Sequence, residues 1–375
     1  MGEKVLFTAS TYSHIVNFHL PYLEKFRAEG WTVHVACGGA PMAIPQADEV
    51  VHLPLEKAMW SPRNFRAAGM LRERMGREGY ALAVAHTSLA AFFTRLAAQG
   101  LAERPAVANM VHGYLFDGET GWAKRQALLG AERWTAGCTD LVLTMNGWDY
   151  EAAKRYGLGR KVVRVPGVGV DFTRFDGVPP GQRGALRKKW GVREDAFVLI
   201  YAAEFSRRKS QEVIIRALAG LPEGVVLVLA GDGALRDGCR ELAGRLGLAG
   251  RVVFPGQVGD IPAWYAMADA AVSASRSEGL PFNVMEAMYA GLPVVASDVK
   301  GHRDLVEHGT TGLLYPYGDA GACAGQVAAL LASAQLRRAL AARAREYVAR
   351  YALDQVLPTV WLHYRSLSPA ATAPL

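Results

Sequence analysis

Pro166-Gly167-Val168-Gly169-Val170-Asp171 is the stretch that divides this chain. One proline and two glycines halt regular structure there, and a polar, basic segment follows as far as Arg193. On both sides, short β-branched or apolar runs alternate with amphipathic stretches of helical period, the pattern of parallel sheets covered by helices on both faces. Before the break, strands are expected at Val5 to Thr8, Thr32 to Ala36, Leu82 to Ala85, Val107 to Val111, Leu141 to Thr144 and Val162 to Val165, with helices such as Phe18 to Ala28 and Ala90 to Ala98 between them. After it, strands are expected at Phe197 to Ala202, Val225 to Ala230, Arg251 to Phe254, Ala270 to Ser273 and Pro293 to Ala296. The fold class is therefore α/β with two doubly wound units, residues 1–168 and 169–350. The helical region Leu336 to Leu367 is too long for one helix, and Tyr351 to Asp354 is expected to break it. Residues 351–375 then form a helix that crosses back to the first unit, with a frayed tail from Ser368 to Leu375.

A length of 375 residues, 51% of them apolar, suits two domains. No apolar run reaches bilayer length, and MGEKVLFTAS sets an acid beside its lysine and enters a strand-like run at once, so neither a signal peptide nor a membrane span is expected and the chain is placed in the cytoplasm. Cys37, Cys138, Cys239 and Cys323 lie far apart, with no C-x-x-C pair and no histidine cluster of metal-ligand spacing near them, and read as reduced thiols. The formal charge of +7 favours an anionic partner: lipid, nucleic acid or a phosphorylated substrate.

The segment Ser277-Glu278-Gly279-Leu280-Pro281-Phe282-Asn283-Val284-Met285-Glu286-Ala287-Met288 follows an expected strand and opens a helix. Strand carboxyl ends are where ligands bind in such sheets. Gly279 and Pro281 shape a turn, and the amides from Phe282 to Val284 form a helix N-terminus suited to a phosphate. Glu278 can accept hydrogen bonds from sugar hydroxyls, while Glu286, about one turn into the helix, can hold a ribose diol. The plain alternative is a helix cap at Glu278 and a surface acid at Glu286. The small apolar run Ala287, Met288, Ala290, Gly291 speaks for a buried helix, where an acid needs a partner.

Tyr201-Ala202-Ala203-Glu204-Phe205-Ser206-Arg207-Arg208-Lys209 occupies the corresponding loop after the first strand of the second unit. Lys209, with Arg207 or Arg208, can neutralise a diphosphate leaving group as its charge develops; the alternative is a solvated basic turn. In Asn109-Met110-Val111-His112-Gly113-Tyr114 a histidine ends a strand of the first unit, and His86 has the same geometry. Gly231-Asp232-Gly233 reads as a tight turn rather than a phosphate site. No G-x-G-x-x-G with a following acid is well placed and no G-x-x-x-x-G-K-S/T occurs, which counts against a nicotinamide dehydrogenase and a P-loop kinase.

Together these segments resemble the retaining GT-B glycosyltransferases of family 4 over nearly the whole chain. The resemblance rests on Glu278-x7-Glu286 within EGLPFNVMEAMYAGLPVVASD, then on His112-Gly113, PGVGVD at 166–171, the loop ending in Lys209, LAGDG at 229–233 and VVFPG at 252–256, in that order along the family pattern. It implies two Rossmann-like domains facing across a cleft, a UDP-hexose or UDP-N-acetylhexosamine as donor, retention of anomeric configuration, and neither metal nor cofactor. By the same resemblance Glu278 binds donor sugar hydroxyls, Glu286 the ribose and Lys209 the diphosphate, His112 sits near the reacting centre, and the leaving phosphate helps deprotonate the acceptor. His14-Ile15-Val16-Asn17-Phe18-His19-Leu20-Pro21-Tyr22-Leu23 with His86-Thr87 is similar to the bacterial branch that builds surface polysaccharides and protein-linked glycans. That likeness implies an acceptor saccharide on polyprenyl diphosphate at the inner membrane surface, with His14, Asn17 and His86 on the acceptor side. Two departures stand out: Glu204 replaces an arginine of many relatives, leaving Arg207 or Arg208 to substitute, and Ala9-Ser10-Thr11-Tyr12-Ser13 replaces a glycine-rich loop.

Between Lys57 and Arg77, Lys57, Arg63, Arg66, Arg72, Arg74 and Arg77 interleave with Met59, Trp60, Phe65, Met70, Leu71 and Met75. Such a helix lies on anionic lipid or packs on its own sheet, and both readings stay open. Three rival functions share some of these features: a GT-B UDP-sugar epimerase, a non-catalytic UDP-sugar-binding protein, and a nucleic-acid binder. The last lacks a recognised recognition motif, so no nucleic-acid partner is expected.

Overall fold

The computed structural model describes residues 2–368. The chain divides into two compact units, one holding the residues up to Gly169 and those from Asp354 onward, the other Val170–Leu353.

In the first unit seven parallel strands form one sheet: β1 (Lys4–Ala9), β2 (Thr32–Cys37), β3 (Glu49–His52), β4 (Leu82–His86), β5 (Ala106–Val111), β6 (Leu141–Thr144) and β7 (Lys161–Arg164). Their order is β3-β2-β1-β4-β5-β6-β7. The second unit repeats the plan with β8 (Phe197–Ala202), β9 (Val225–Ala230), β10 (Val252–Gly256), β11 (Ala270–Ser273), β12 (Val294–Ser297) and β13 (Leu313–Tyr315), ordered β10-β9-β8-β11-β12-β13. Strands such as Leu82–His86 and Ala270–Ser273 are buried throughout, as helix cover on both sheet faces requires. Both sheets reverse direction beside their first strand, between β1 and β4 and between β8 and β11, which opens a crevice at the carboxyl ends there.

One device recurs in both units. Asp140, just before β6, accepts from the Val107 amide (2.8 Å) and takes both guanidinium nitrogens of Arg104 at 2.6 and 2.9 Å. Asp269, just before β11, accepts from the Val198 amide (2.8 Å), from Arg183 (2.6 Å) and from the buried Arg187 (2.8 Å). Each aspartate ties the start of its strand to a neighbour and sets the register from which the far ends are reached.

The expected helix Phe18 to Ala28 is two helices, Tyr12–Phe18 and Leu20–Ala28, parted at His19. Pro21 explains the break, since proline suits the first turn of a new helix and interrupts one already running. β3 and β13 lie at sheet edges and were not foreseen, and several strand bounds differ by a residue or two. The carboxyl-terminal region breaks between the helix Ala334–Val348 and the helix Leu353–Arg365. Val170 fixes that break: its amide donates to the Tyr351 carbonyl, and its carbonyl accepts from the Leu353 amide, each at 2.9 Å. Trp361 and Tyr364 of the last helix pack on Phe26 in the first unit. Ser368, expected to fray, is buried with its hydroxyl bonded to the Glu3 carboxylate at 2.6 Å; the rest of the expected frayed tail, 369–375, lies outside the described residues.

Candidate functional site

In the second unit the β11 end delivers Glu278 and the β8 loop delivers Arg208 and Lys209. Glu278 is buried and its two oxygens are divided: Oε1 accepts from Lys209 Nζ at 2.5 Å and Oε2 from Arg208 Nη1 at 2.7 Å. Burial alone would raise this carboxyl, but the charges of Lys209 and Arg208 override it and hold Glu278 at about 2. The backbone on both sides is fixed. Tyr201 donates its hydroxyl to the Lys209 carbonyl (2.9 Å) and sits 2.9 Å from Ser275 Oγ. Gly301 backs Glu278, where a Cβ would stand 2.8 Å from the Glu278 Cβ and carbonyl oxygen, so this close approach requires glycine.

Next to Gly301, buried His302 bonds Ser273 Oγ through Nε2 (3.0 Å) and the Ser297 carbonyl through Nδ1 (2.8 Å). Burial lowers it to about 4 against the opposing charge of Glu278, so the ring is neutral and braces the loop. Sequence reasoning passed over it. Arg207 is exposed, and Glu204 is exposed as well, its carbonyl accepting from Gln211. Of the two arginines weighed, the structure brings Arg208 to the acid.

Gly279, Leu280 and Pro281 form the turn, and the helix Phe282–Tyr289 starts at Phe282 with no side-chain cap from Pro281. Asn283 and Val284 follow in its first turn, and the Asn283 carbonyl accepts from the Tyr265 hydroxyl at 3.0 Å. Glu286 is buried, as its apolar surroundings required, and its partner is Arg174, which bonds Oε1, with the Tyr265 hydroxyl 3.5 Å from Oε2. Burial raises Glu286 to about 7, with Arg174 pulling the other way. Arg174 comes from the short helix Thr173–Asp176 just beyond the PGVGVD stretch and had not been singled out.

A cavity of about 320 Å³ opens at the ends of β8 and β9, lined among others by Ala203, Glu204, Gly231, Asp232, Val258 and Ile261. Gly231 and Asp232, from the stretch read as a tight turn, form part of its wall. Gly231, at φ +149°, lets the chain pass where a Cβ would meet the Ala203 carbonyl at 2.1 Å, and so forms the cavity wall. Ile261, in the cavity wall, and Tyr265, whose hydroxyl reaches Glu286, lie one turn apart on the helix Ile261–Met267.

The first unit gathers histidines instead. His86 ends β4, His112 follows β5, His14 lies on the helix after β1 whose first turn Thr11 caps, and His19 marks the break behind it. His112 Nε2 is 3.3 Å from both His14 Nε2 and His86 Nδ1, and the His19 and His86 rings stack with centroids 3.7 Å apart. Burial lowers all four, His14 to about 4, and the rings repel one another's protonation, so they are neutral at neutral pH. The sequence reading named His14, His86 and His112 singly; it missed His19 and their convergence. Asn17, one turn after His14, is exposed.

Each site is followed by a non-glycine residue at positive φ. Thr87, after His86, has φ +61° and holds Ser10 through its hydroxyl (amide at 3.0 Å, Oγ at 2.6 Å). Ser210, after Lys209, has φ +47° and begins the helix Gln211–Ala219.

In the basic segment, Ala67, Leu71 and Met75 of the helix Pro62–Glu78 are buried, while Trp60 and Phe65 are exposed and stacked on each other. Arg72 bonds carbonyls at the end of the helix Ser88–Ala98, and Arg74 bonds Tyr80 and Glu49. Among the described residues, no helix is long and apolar enough to cross a membrane.

Comparison with known proteins adds the family context. Residues 182–347 match the family model described as glycosyl transferases group 1, and residues 22–174 match that of glycosyltransferase family 4. EpsD of Bacillus subtilis (strain 168), named as a glycosyltransferase, is 34% identical over 94% of this chain and 93% of its own. A GDP-mannose-dependent phosphatidylinositol monomannoside mannosyltransferase of Mycobacterium tuberculosis is 30% identical over 66% of each chain. Among solved structures, HepE of Anabaena in complex with UDP-glucose superimposes with a TM-score of 0.80 at 23% identity, covering 97% of this chain and 99% of that one. Sucrose-phosphate synthase of Thermosynechococcus elongatus gives 0.81 at 22% identity, covering 99% and 100%. These two likenesses speak for the fold.

Proposed function

The chain belongs to the GT4-type glycosyltransferases of GT-B fold, and on that premise we propose that it serves polysaccharide biosynthesis by moving a hexose or N-acetylhexosamine from a UDP-sugar to a saccharide carried on polyprenyl diphosphate, with retention and without a metal. The observation that carries this reading is the arrangement of the second unit: Lys209, Arg208 and Glu278 clustered at the strand ends, buried Glu286 on the helix that follows, and a cavity of about 320 Å³ at the ends of β8 and β9. The cavity suits the base, Glu286 the ribose diol, and the start of the helix Phe282–Tyr289 the diphosphate. HepE of Anabaena, solved with UDP-glucose, supports a uridine donor.

In the reaction the bond between the anomeric carbon and the diphosphate oxygen breaks, and the acceptor hydroxyl oxygen bonds to that carbon on the same face. The hydroxyl proton passes to the leaving phosphate. Lys209 and Arg208 offset the charge that develops on the diphosphate, Glu278 holds the sugar hydroxyls, and His112 supports the reacting sugar. His14, Asn17 and His86 are assigned to the acceptor side. Trp60 and Phe65, exposed among Arg63 and Arg66, are the candidate contact with the anionic inner face of the membrane, where a lipid-linked acceptor resides.

The test is UDP release from a panel of UDP-hexoses and UDP-N-acetylhexosamines with EDTA present, with and without a polyprenyl-diphosphate saccharide. Acceptor-dependent release from one donor, lost in Glu278→Ala, is the expected result. Product sugar that leaves as an epimer with no acceptor would favour an epimerase, UDP-sugar binding with no turnover a sensor, and failure to bind UDP would end the donor assignment.

A further inference from the structure

We propose that His14, His19, His86 and His112 form a binding site for one divalent transition-metal ion of the Zn²⁺, Co²⁺ or Ni²⁺ class. One candidate ligand nitrogen from each ring lies within 4.8 Å of all the others. The two closest approaches, His112 Nε2 to His14 Nε2 and to His86 Nδ1, are both 3.3 Å. A tetrahedral ion with metal–nitrogen bonds of about 2.0–2.1 Å holds its imidazole nitrogens about 3.3–3.4 Å apart, so His112 already stands at ligand spacing from two of its neighbours, and the remaining separations stay within 4.8 Å.

Hydrogen bonding alone leaves the cluster unsettled. A neutral ring nitrogen carries one proton or one in-plane lone pair, and His112 Nε2 faces two nitrogens at equal distance. The Nε2 atoms of His19 and His86 are buried with no hydrogen-bond partner. His86 already turns its Nδ1 to His112, so the atom an ion would satisfy is the Nε2 of His19, a buried group that requires an account. The donor set selects the metal: imidazole suits the later first-row ions, whereas Mg²⁺ and Ca²⁺ prefer oxygen.

The framework is rigid where it needs to be, because His86 and His112 are fixed by the adjacent strands β4 and β5, and His14 by a capped helix. His14 and His112 are partly exposed, which gives the ion a way in. One consequence rests on the proposed role of His112: a bound ion occupies the lone pair that transfer leaves to that ring, so the metal inhibits.

The experiment uses the full chain without a histidine tag, stripped with a chelator and exchanged into metal-free buffer. Co²⁺ titration followed by visible absorption, and Zn²⁺ competition against a chromophoric chelator, are expected to show one equivalent bound. His14→Ala and His86→Asn are each expected to weaken binding on the order of tenfold or more, with His363→Gln as the unchanged control. Far-UV circular dichroism and melting curves establish that each variant is folded, and the partly exposed His14 keeps the test open should His86→Asn unfold. Absence of saturable binding, or equal affinity in folded His14→Ala, overturns the site. Zn²⁺ that binds as expected yet leaves transfer untouched keeps the site and removes His112 from the reaction; absence of binding with transfer intact removes the site and leaves the function standing.

Discussion

The two units share a strand order and an aspartate hook, yet the carboxyl ends of their strands hold opposite chemistry. At β1, β4 and β5 four imidazoles are packed together with no charge to favour their protonated forms, and burial keeps them neutral. At β8 and β11 a buried carboxylate is held ionised by two cations, while Glu286, with a single arginine, stays near the point of balance. The same layered scaffold therefore supports a neutral site and a charged one. A few side chains at the strand ends decide which, as expected when function is set by sites and not by folds.

This contrast predicts which variants cost stability as well as activity. Glu278→Ala is expected to lower transfer by about 10²–10³-fold or more. It also leaves Lys209 buried and unpaired, and is expected to cost about 3 kcal/mol in a denaturant melt. His112→Ala removes a neutral ring, and a turnover loss with a stability change within about 1 kcal/mol is expected. Equal stability losses in the two variants would erase the distinction between the sites.

The scaffold half of the comparison is sharpened by the hooks. Asp269→Ala leaves the buried Arg187 without its carboxylate and is expected to cost about 3 kcal/mol. Asp140→Ala frees partly exposed arginines, and about 1–2 kcal/mol is expected, both read from chemical denaturation.

A smaller effect follows from Glu286. Only its ionised form accepts both hydroxyls of a ribose diol, and the carboxyl titrates at about 7. Affinity for a UDP-sugar, measured calorimetrically, should therefore rise with pH across that value and be about tenfold weaker one unit below it than one unit above. Glu286→Gln should flatten the profile. Arg208→Met is expected to give the smallest stability change, less than about 1 kcal/mol, because this arginine is half exposed, while its effect on the KM for donor exceeds that on melting.

Much of this was legible in the sequence, and the gaps have physical reasons. Central strands such as Phe197–Ala202 and Val225–Ala230 announce themselves because burial on both faces makes them continuous apolar runs. The edge strand Glu49–His52 is largely exposed and carries no such signal. Glu278, Glu286 and Lys209 were readable because glycine, proline and charge mark a strand-to-helix turn. Arg174 was not, since nothing near it in sequence says that its partner stands beyond a hundred residues away. The histidine cluster was hidden for the same reason: its members become neighbours only when β1, β4 and β5 lie side by side.

Thr87 and Ser210 carry one more consequence, for anyone who would make this protein sturdier. Non-glycine residues held at positive φ cost of order 1–3 kcal/mol, and each of these directly follows a residue on which a site depends. Glycine at either position would relieve that strain while removing the hydroxyl that bonds Ser10, at Thr87, or the Arg207 carbonyl, at Ser210. Any gain in melting temperature would come from loosening the backbone directly beside His86 and Lys209, so a screen on heat resistance alone would be blind to what it does to the sites.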